Sequence, residues 1–501
     1  MSVYLFIYLF IIFVFKFLSD ISVLNYTNNF NSVYQIKETL GSEAALNRYA
    51  NVCRKDIKDM FPIGDDGTTI FNGTIFVNEK GEPNLSQANL FGQVLDSFQK
   101  YDEENGSFRY VTKEFKTRLY ETFLRQSAGV KNLGQYFTPR NVIQAMVKMS
   151  CASTLNTGAR ICDPFCGVGG FLLETIVMTP SIYKEFEPIN GKIDPKITLI
   201  GFDKGTDEKD DERTIILAKA NMLIYFSDLL AKYHSLEHLE SFANNALNKV
   251  FHLIKTNLGT FGKIDEKPFD LILTNPPYVT SGSSSIKAAI STDPNLIKYA
   301  EKNEGEKSYY QANGRGTQSL AIEWIIKNLK PGGETLVIVP DSLLLQENMI
   351  NYMKDNCIIK GIMSLPLRTF YSTAQKTYIL IMNKKNTNEV QTSDVFSFLV
   401  SEIGESRDSK RFVIEQNDLI EATNLYNLFK TGNEIPSSKR CKTIECEEFL
   451  ELDNWMIDKL WTDEEKEALG IIEEQETITE EEFWGLIDDV RNFLKEINGG
   501  Q

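Results

Sequence analysis

The sequence predicts an α/β fold built around a mostly parallel β-sheet. Three short apolar runs carry this prediction, because each reads as a buried strand and is followed by residues that stop a strand. They are residues 159–162, 197–203 and 269–273. The first run leads into a glycine-rich turn and a helical pattern, and the third is followed by two prolines. Ligands of open α/β sheets bind beyond the carboxyl ends of the strands, so the residues after these runs are site candidates.

Composition describes a globular protein of two or three domains. A chain of 501 residues is too long for one ordinary domain, and 42% hydrophobic with 24% charged residues is typical of folded proteins. The net charge of −16 argues against an unaided grip on nucleic acid, since phosphate binding needs clustered Lys and Arg. If the substrate is nucleic acid, either the basic surface is local or a partner supplies it.

Cysteine and histidine usage predicts a reduced protein without a metal. The seven cysteines are scattered and suggest no disulfide framework, which favours a cytoplasmic location. Cys162 with Cys166 and Cys441 with Cys446 are the closest pairs. With three histidines and no matching second pair, we expect small buried thiols and not a zinc site.

The first 25 residues form a hydrophobic segment. Val3 to Phe15 is unbroken apolar sequence, which is short for a membrane span of about 20 residues and lacks the flanks of a signal peptide. Three alternatives remain: a membrane anchor, a buried or frayed helix, or an extension from a misassigned start codon. We expect no membrane partner.

Residues 26–130 are expected to form a helical domain in front of the predicted α/β domain. Two helix faces are expected, one from Leu90, Val94, Leu95 and Phe98, the next from Phe115, Leu119, Phe123 and Leu124. A strand pair is expected near Thr69–Val77, around the turn Asn72-Gly73.

The most informative stretch is Asn275-Pro276-Pro277-Tyr278, at the end of the third apolar run. Two prolines cannot continue a ladder, so Asn275 and Tyr278 face the space beyond the strand. The Asn275 oxygen and the Pro276 carbonyl can accept two hydrogen bonds from a planar –NH2 group, and Tyr278 can stack on the ring that carries it. The alternative is a strand-end turn with no chemistry.

A second candidate is the segment before a predicted helix at 138–147. Thr138 is expected to cap this helix and Pro139 to occupy its first position. One interpretation is an ordinary capped helix. The functional one is a loop over a ligand, formed by Gln135, Tyr136, Phe137, Thr138, Pro139 and Arg140.

Acidic residues follow the first two strands. Asp163 precedes Gly167, Gly169 and Gly170, a turn that lets a ligand approach the backbone. The pattern is neither a pyrophosphate nor a phosphate loop, and the acid points to a cationic group such as the ammonium of S-adenosylmethionine. Asp203 ends the second strand and can accept both hydroxyls of a ribose, unless its role is structural.

The remaining chain predicts a loop, further strands and an acidic end. Residues 279–318 are expected to form a long loop beside the site. The last two strands are expected at Ile358–Leu365 and Thr377–Met382, paired as a hairpin. Residues 391–501 form an acidic, mostly helical extension for subunit docking. In it, a helix is expected with Thr479 and Glu482 as a capping box, packed on its own chain or on a partner.

Four motifs together resemble a known family. QYFTPR (135–140), DPFCGVGGF (163–171), GFD (201–203) and TNPPY (274–278) stand in the order and spacing of modification (M) subunits of type I restriction–modification systems. These are adenine-specific DNA methyltransferases of the gamma arrangement, and the resemblance covers about 115–385. It implies a Rossmann-like methyltransferase sheet over 131–390, S-adenosylmethionine as donor, and transfer to the exocyclic amine of adenine in double-stranded DNA. A specificity subunit is the implied partner, with or without a restriction (nuclease or translocase) subunit.

The resemblance also assigns roles to residues. Asn275, Pro276 and Tyr278 would bind the flipped adenine and carry catalysis. The residues that would bind the cofactor are Gln135 to Arg140, Asp163, Gly167, Val168, Gly169, Gly170 and Asp203. Three departures stand out: Val168 replaces a common Ser, Asp203 replaces a common Glu, and the acid after the third strand has only Asp228 or Asn257 as candidates.

Three alternatives to this function are a protein-glutamine methyltransferase, a single-chain restriction–modification enzyme and a non-catalytic scaffold. A glutamine amide is also a planar –NH2 group, but the motif at 135–140 and the long flanks argue against it. A nuclease would need a D…ExK cluster, and none is convincing. The scaffold interpretation rests on the apolar first segment and the acidic end alone.

Overall fold

The sheet at the centre of the computed structural model contains both parallel and antiparallel strands. The structure describes residues 4–65, 67–68, 70, 74–78, 80–110, 138–204, 212–265, 267–278, 283–303, 305–370, 375–408, 411–472 and 487. Within these residues the strands are β1 Arg160–Asp163, β2 Thr198–Lys204, β3 Phe251–Ile254, β4 Phe269–Thr274, β5 Leu329–Pro340, β6 Cys357–Ser364, β7 Thr377–Lys384, β8 Val395–Leu399, β9 Ile403–Glu405, β10 Val413–Asn417 and β11 Cys441–Ile444. The main sheet has the order β11-β8-β6-β7-β5-β4-β1-β2-β3, and β9 pairs separately with β10.

The sheet reverses its strand order at β1. The chain runs outward from β1 to β2 and β3, then crosses back to place β4 and β5 on the other side of β1. These five strands are parallel, with Cys162 opposite both Ile200 and Ile272. A crevice therefore opens between the carboxyl ends of β1 and β4, where open α/β sheets bind ligands. The three apolar runs that predicted strands form β1, β2 and β4, so the predicted α/β architecture is confirmed.

Helices cover the sheet and fill the amino-terminal region. The α-helices of four or more residues are α1 Tyr4–Asp20, α2 Phe30–Leu40, α3 Ser42–Val52, α4 Ala88–Asn105, α5 Arg140–Met149, α6 Gly170–Met178, α7 Pro180–Lys184, α8 Glu212–Tyr225, α9 Ser227–Lys232, α10 Leu236–Phe242, α11 Ser283–Thr292, α12 Pro294–Asn303, α13 Gly316–Asn328, α14 Asp341–Leu344, α15 Glu347–Asn356, α16 Asp418–Lys430, α17 Cys446–Glu451 and α18 Asp463–Ala468. The predicted helix through Leu90, Val94, Leu95 and Phe98 is confirmed as α4. The second predicted face, from Phe115 to Leu124, lies outside the described residues.

The prediction of one long loop over 279–318 is wrong where α11 and α12 lie. Ile290, Leu296 and Ala300 bury their side chains, and the Asp293 carboxylate accepts hydrogen bonds from the N–H groups that open α12. The Ser, Gly and Asn content of the stretch hid this widely spaced apolar set. A few apolar residues are enough when they fall on one helix face.

The sheet also continues past the two strands that were predicted to be the last. The antiparallel pairing of β6 with β7 is confirmed, but β8 then joins β6 in parallel and β11 joins β8. Every residue of β8 is buried. Its short apolar run, Val395 to Val400, is the signal that a sequence search for strands could have used.

The amino-terminal segment is a buried helix. In α1 the side chains from Ile11 to Leu18 are buried, and Lys16 among them forms ion pairs with Asp20 and Asp102. Of the three alternatives for this segment, the buried helix is the one observed. In the described part of the chain, none of the helices has the length and apolar character that crossing a bilayer requires.

Two compact units divide the chain, Met1–Ile457 and Asp458–Gln501. In the second unit Thr462 caps α18 through a capping box with Glu465. The amphipathic helix expected from Thr479 lies outside the described residues, as does the turn expected at Asn72-Gly73; near that turn an isolated bridge joins Val77 to Pro83. The predicted boundaries 26–130, 131–390 and 391–501 stay predictions. All seven cysteines are free thiols.

Candidate functional site

The carboxyl ends of β1 and β4 are joined directly by a buried hydrogen bond. The Thr274 hydroxyl donates to the Asp163 carboxylate over 2.7 Å, and the Phe165 N–H donates to the same oxygen over 3.2 Å. Asp163 is 1% exposed. Burial raises the pKa of the Asp163 carboxyl from 3.8 to about 7, although both hydrogen bonds lower it. A proton or a cationic ligand group therefore stabilises this site.

The glycine turn after β1 is shaped by close packing. Gly169 has φ +82° and precedes α6, and a Cβ there would overlap the Phe251 ring. A Cβ on Gly170 would lie 2.8 Å from Ile143 Cδ1. The Cys166 N–H donates to the Phe202 carbonyl over 2.8 Å and ties the turn to β2. The turn, predicted as a place of close approach for a ligand, thus first needs glycine to pack against its own neighbours.

An asparagine beneath this turn was missed by sequence reasoning. Asn221 in α8 is 2% exposed, and its amide N–H donates to the Val168 carbonyl over 3.3 Å. Its side-chain oxygen has no hydrogen-bond partner in the described part of the chain. A buried orphan acceptor is costly, so the turn is suited to a ligand that brings donors. An Asn inside the apolar run of α8 was the available signal.

These features fit S-adenosylmethionine by their chemistry. Asp163 and Asp203 stand at the ends of adjacent parallel strands, Asp203 being partly exposed. The two carboxylates and the Asn221 oxygen are all hydrogen-bond acceptors. They suit a ligand that brings donors, such as an ammonium group and ribose hydroxyls. Of the two candidates for a third polar contact, Asn257 is exposed three residues after β3, whereas Asp228 lies on α9.

The Asn275 side chain is held at both ends. Its amide N–H donates to the Thr138 hydroxyl over 3.0 Å, and its oxygen accepts a hydrogen bond from the Tyr278 hydroxyl. That hydroxyl also lies 3.3 Å from the Ile338 carbonyl, and burial raises the pKa of Tyr278 well above its usual value. The Thr317 hydroxyl donates to the Pro277 carbonyl over 2.7 Å. The turn predicted from Asn275 to Tyr278 is therefore rigid, with the amide orientation set by its neighbours.

The predicted cap of the helix at 138–147 is wrong. Helix α5 begins at Arg140 with Pro139 before it, and no side chain caps it. Thr138 instead accepts from Asn275, because a hydroxyl can serve a distant amide as well as a local N–H group. Gln135, Tyr136 and Phe137, predicted to border the same ligand, lie outside the described residues.

Arg140 takes part in a buried polar network. Its guanidinium forms an ion pair with Glu174 over 2.7 Å, and Gln144 donates to the other oxygen of Glu174 over 3.0 Å. The Tyr225 hydroxyl donates to the same carboxylate. This network joins α5, α6 and α8 behind the glycine turn. Glu174, a lone acid within FLLETIV, is the sequence signal that was overlooked.

A second aromatic ring stands beside Tyr278. The Phe370 ring lies edge-on to Tyr278, with centroids 6.4 Å apart and planes at 78°. The loop that carries it, Pro366–Phe370, is braced by hydrogen bonds from Arg407 to the Leu367 carbonyl and from Arg411 to the Thr369 carbonyl. These residues are far from Tyr278 in sequence, so no local pattern revealed the pair.

The chain is similar in sequence to known DNA methylases. The family model described as N-6 DNA Methylase matches residues 112–467. The type I restriction enzyme EcoEI methylase subunit of Escherichia coli is 25% identical over 312 residues, which are 61% of this chain and 53% of that protein. The EcoKI methylase subunit of Escherichia coli (strain K12) is 24% identical over 315 residues, 61% and 51% respectively. The chain thus spans about half the length of these curated relatives.

Solved structures share the fold. The type I restriction-modification system methyltransferase subunit from Streptococcus thermophilus superposes with a TM-score of 0.55 at 17% identity, over 85% of this chain and 78% of that one. A chain from a structure of type I R-M system assembly gives a TM-score of 0.52 at 15% identity, over 100% and 93%. The predicted methyltransferase sheet is therefore confirmed.

Proposed function

The chain belongs to the N-6 DNA methylase family, and from this premise we propose that it transfers a methyl group from S-adenosylmethionine to the exocyclic amine of adenine in double-stranded DNA. The observation that carries the proposal is the Asn275 amide, held between Thr138 and Tyr278 beside the Asp163 crevice. The family favours adenine over a glutamine amide as the planar –NH2 group.

The target base has to leave the duplex before it can reach this turn. Rotating a base out costs a few kcal/mol, and stacking on an aromatic ring returns about 1–3 kcal/mol per base. Tyr278 supplies the ring for stacking, and Phe370 packs edge-on against Tyr278 and so supports that ring from the side.

Asn275 and Pro276 act on the amine itself. The amine lone pair is delocalised into the adenine ring, so the nitrogen is a weak nucleophile. Hydrogen bonds from its two protons to the Asn275 oxygen and the Pro276 carbonyl favour a tetrahedral nitrogen and stabilise the positive charge that develops there. Before the amine binds, the Tyr278 hydroxyl donates a hydrogen bond to the Asn275 oxygen. This hydroxyl must turn away when the amine arrives. The Asn275 oxygen then exchanges one donor for another and is never left without one.

The crevice at the carboxyl end of β1 is the proposed binding site for S-adenosylmethionine. Asp163 would accept the ammonium, the turn from Gly167 to Gly170 with Val168 would line the amino-acid part, and Asp203 would hold the ribose. S-adenosylmethionine supplies a methyl group already activated by its sulfonium. The Glu174 network ties α5 to α6 and α8 behind this crevice, and Thr138 stands just before α5.

A specificity subunit is the proposed partner that selects the adenine. The net charge of −16 leaves little general attraction for DNA. The curated relatives are named as methylase subunits of type I restriction enzymes. A restriction subunit is a further proposed partner, and the acidic region 391–501 is proposed to dock such subunits.

The test is labelled methyl transfer to unmethylated DNA, measured for the chain with and without its neighbouring specificity subunit. We expect transfer to adenine with the subunit present, and mapping of N6-methyladenine then gives the recognition site. Transfer to protein but never to DNA would overturn the proposal. A parallel reaction with glutamine-containing proteins in place of DNA separates the two substrate classes.

Asn275→Ala tests the role of the turn. We expect a loss of at least about 100-fold in methyl transfer with cofactor binding retained, because one oriented acceptor of this kind contributes about 3 kcal/mol to a transition state. Asn47→Ala, at an exposed position of α3, is the matched control and should keep full activity. Full activity of Asn275→Ala would remove the turn from the mechanism.

A further inference from the structure

The short loop before α13 is held by side chains at nearly every residue. The buried Glu323 carboxylate accepts hydrogen bonds from the N–H groups of Gln311 and Ala312, the latter over 3.0 Å. Asn348 donates to the Ala312 carbonyl over 2.7 Å, and Lys287 donates to the Gly314 carbonyl. A loop of five residues, 311–315, with a glycine and three polar side chains would ordinarily be mobile, so this bracing indicates a defined position.

Arg315 is fixed through its backbone and free at its side chain. Its N–H donates to the Gln346 side-chain oxygen over 2.6 Å, and its carbonyl accepts from the Ser319 hydroxyl over 2.7 Å. The side chain is exposed, and its guanidinium forms no hydrogen bond or ion pair with the residues that the structure describes. A cation with an anchored base and an unpaired head is arranged for an external anion.

The loop adjoins the turn formed by residues 275–278. Thr317, two residues after Arg315, donates its hydroxyl to the Pro277 carbonyl. The anchored backbone of Arg315 is therefore linked through two residues to Asn275-Pro276-Pro277-Tyr278. A backbone phosphate next to a base held in that turn is therefore a candidate anion for Arg315.

We propose that Arg315 binds a backbone phosphate of the target DNA strand beside the flipped adenine. This inference rests on the proposed function. A flipped nucleotide is held out by its sugar–phosphate backbone, and a planar guanidinium can bind two phosphate oxygens at once. Because Gln346 and Ser319 already order the backbone of Arg315, less entropy is lost on binding. The contact offsets part of the cost of rotating the base.

The experiment compares Arg315→Gln and Arg315→Lys with the wild-type chain, each assembled with the specificity subunit. The probe is a duplex carrying the mapped site with 2-aminopurine at the target position, whose fluorescence reports flipping. Lys58→Gln, an exposed lysine of the amino-terminal region, is the charge-matched control. Cofactor affinity, melting temperature and complex assembly are measured for every variant.

For Arg315→Gln we expect about 10-fold weaker DNA binding. The slope of log K against log salt should become less negative by about 0.9, as for one lost phosphate contact. The flipping signal should fall, and a mismatch opposite the target should restore much of it because the base is then easier to rotate out. Arg315→Lys should keep the salt slope and recover only part of the affinity. Lys58→Gln should match wild type.

Two results would overturn the inference. An unchanged salt slope and flipping signal in Arg315→Gln would show that no phosphate is bound there. Weaker assembly with an unchanged slope would assign Arg315 to a carboxylate of the partner subunit. Both leave the proposed function intact, whereas a wild-type complex that never methylates adenine in DNA defeats the proposed function itself.

Discussion

At the scale of the residue, the proposed catalysis depends on the orientation of the Asn275 side-chain amide. An asparagine amide has a donor and an acceptor of nearly equal size, and only one arrangement presents the acceptor to an incoming amine. In this chain Thr138 accepts from the nitrogen and Tyr278 donates to the oxygen. The two contacts together select the productive orientation before any substrate is bound, which is the preorganisation on which electrostatic catalysis depends.

Thr138→Val tests this positioning role. Loss of the hydroxyl removes the partner of the Asn275 N–H, so the amide can turn over, and we expect kcat to fall about 10-fold, as for one hydrogen bond of about 1–1.5 kcal/mol. The dissociation constant of S-adenosylmethionine should stay unchanged, and Thr138→Ser should restore kcat. Weaker cofactor binding with unchanged kcat would instead support the role at the cofactor first predicted for Thr138.

Asp163 makes stability and cofactor binding respond to pH in opposite directions. The folded protein keeps a proton on this carboxyl until its pKa of about 7, whereas the unfolded chain loses it near 3.8. Between these values the folded state binds more protons, so the free energy of unfolding falls as pH rises. Binding of a cationic ligand group needs the ionised form and should tighten as pH rises through about 7.

Asp163→Asn should separate the two effects. The variant lacks the ionisation, so urea unfolding at several pH values should give a flatter dependence of stability between about pH 4 and about pH 7 than wild type. Calorimetry should find no binding of S-adenosylmethionine. A wild-type pH dependence retained by the variant would mean that other groups control it.

At the scale of the element, the turn between β1 and α6 joins local strain to tertiary packing. Gly169 needs a left-handed φ, and its missing side chain also leaves room for the Phe251 ring at the start of β3. The same turn receives the Cys166–Phe202 and Asn221–Val168 hydrogen bonds. Neighbouring strands and a helix thus decide the shape of the turn before a ligand arrives.

Gly169→Ala should destabilise the protein by about 2–4 kcal/mol, the sum of left-handed strain and overlap with Phe251. Gly158→Ala is the matched control, because Gly158 has φ +84° with nothing within 4 Å of a Cβ, and it should cost about 1 kcal/mol. Chemical denaturation measures both. Equal costs for the two variants would show that packing against Phe251 is unimportant.

At the scale of the whole molecule, the amino-terminal helix is part of the main core. Helix α1 contacts α8, which also supplies Asn221 beneath the glycine turn. Lys16, 0% exposed, pairs with Asp102 over 2.8 Å and with Asp20, and it lies over the rings of Phe30 and Phe108. A charge within an apolar run is tolerated here because both acids and both rings surround it.

Lys16→Met should destabilise the protein by about 2–4 kcal/mol, because Asp20 and Asp102 lose their shared cation in a poorly solvated place. Lys100→Met, which breaks the exposed pair with Glu104, should change stability by less than about 1 kcal/mol. Thermal and urea unfolding provide the comparison. A Lys16→Met variant as stable as Lys100→Met would mean that the buried pairs contribute nothing net.

Much of the fold and part of the site could be predicted from sequence because they depend on neighbours in the chain. Apolar runs of strand length, Asp163 before glycines and prolines after Asn275 are local patterns, and they located β1, β2 and β4 correctly. Strand β8 and helices α11 and α12 were missed, since their apolar residues are few and their burial depends on distant partners.

The amino-acid sequence alone determined the strand ends and the chemical types of residue that they carry, because chain stiffness and side-chain character act locally. Only the tertiary structure decided which groups meet. Thr138 serves Asn275 across 137 residues, Glu174 takes Arg140, and Phe370 stands against Tyr278. Such contacts follow from how strands order and helices cross, and no local pattern encodes them. Buried polar groups must find partners wherever the fold brings them.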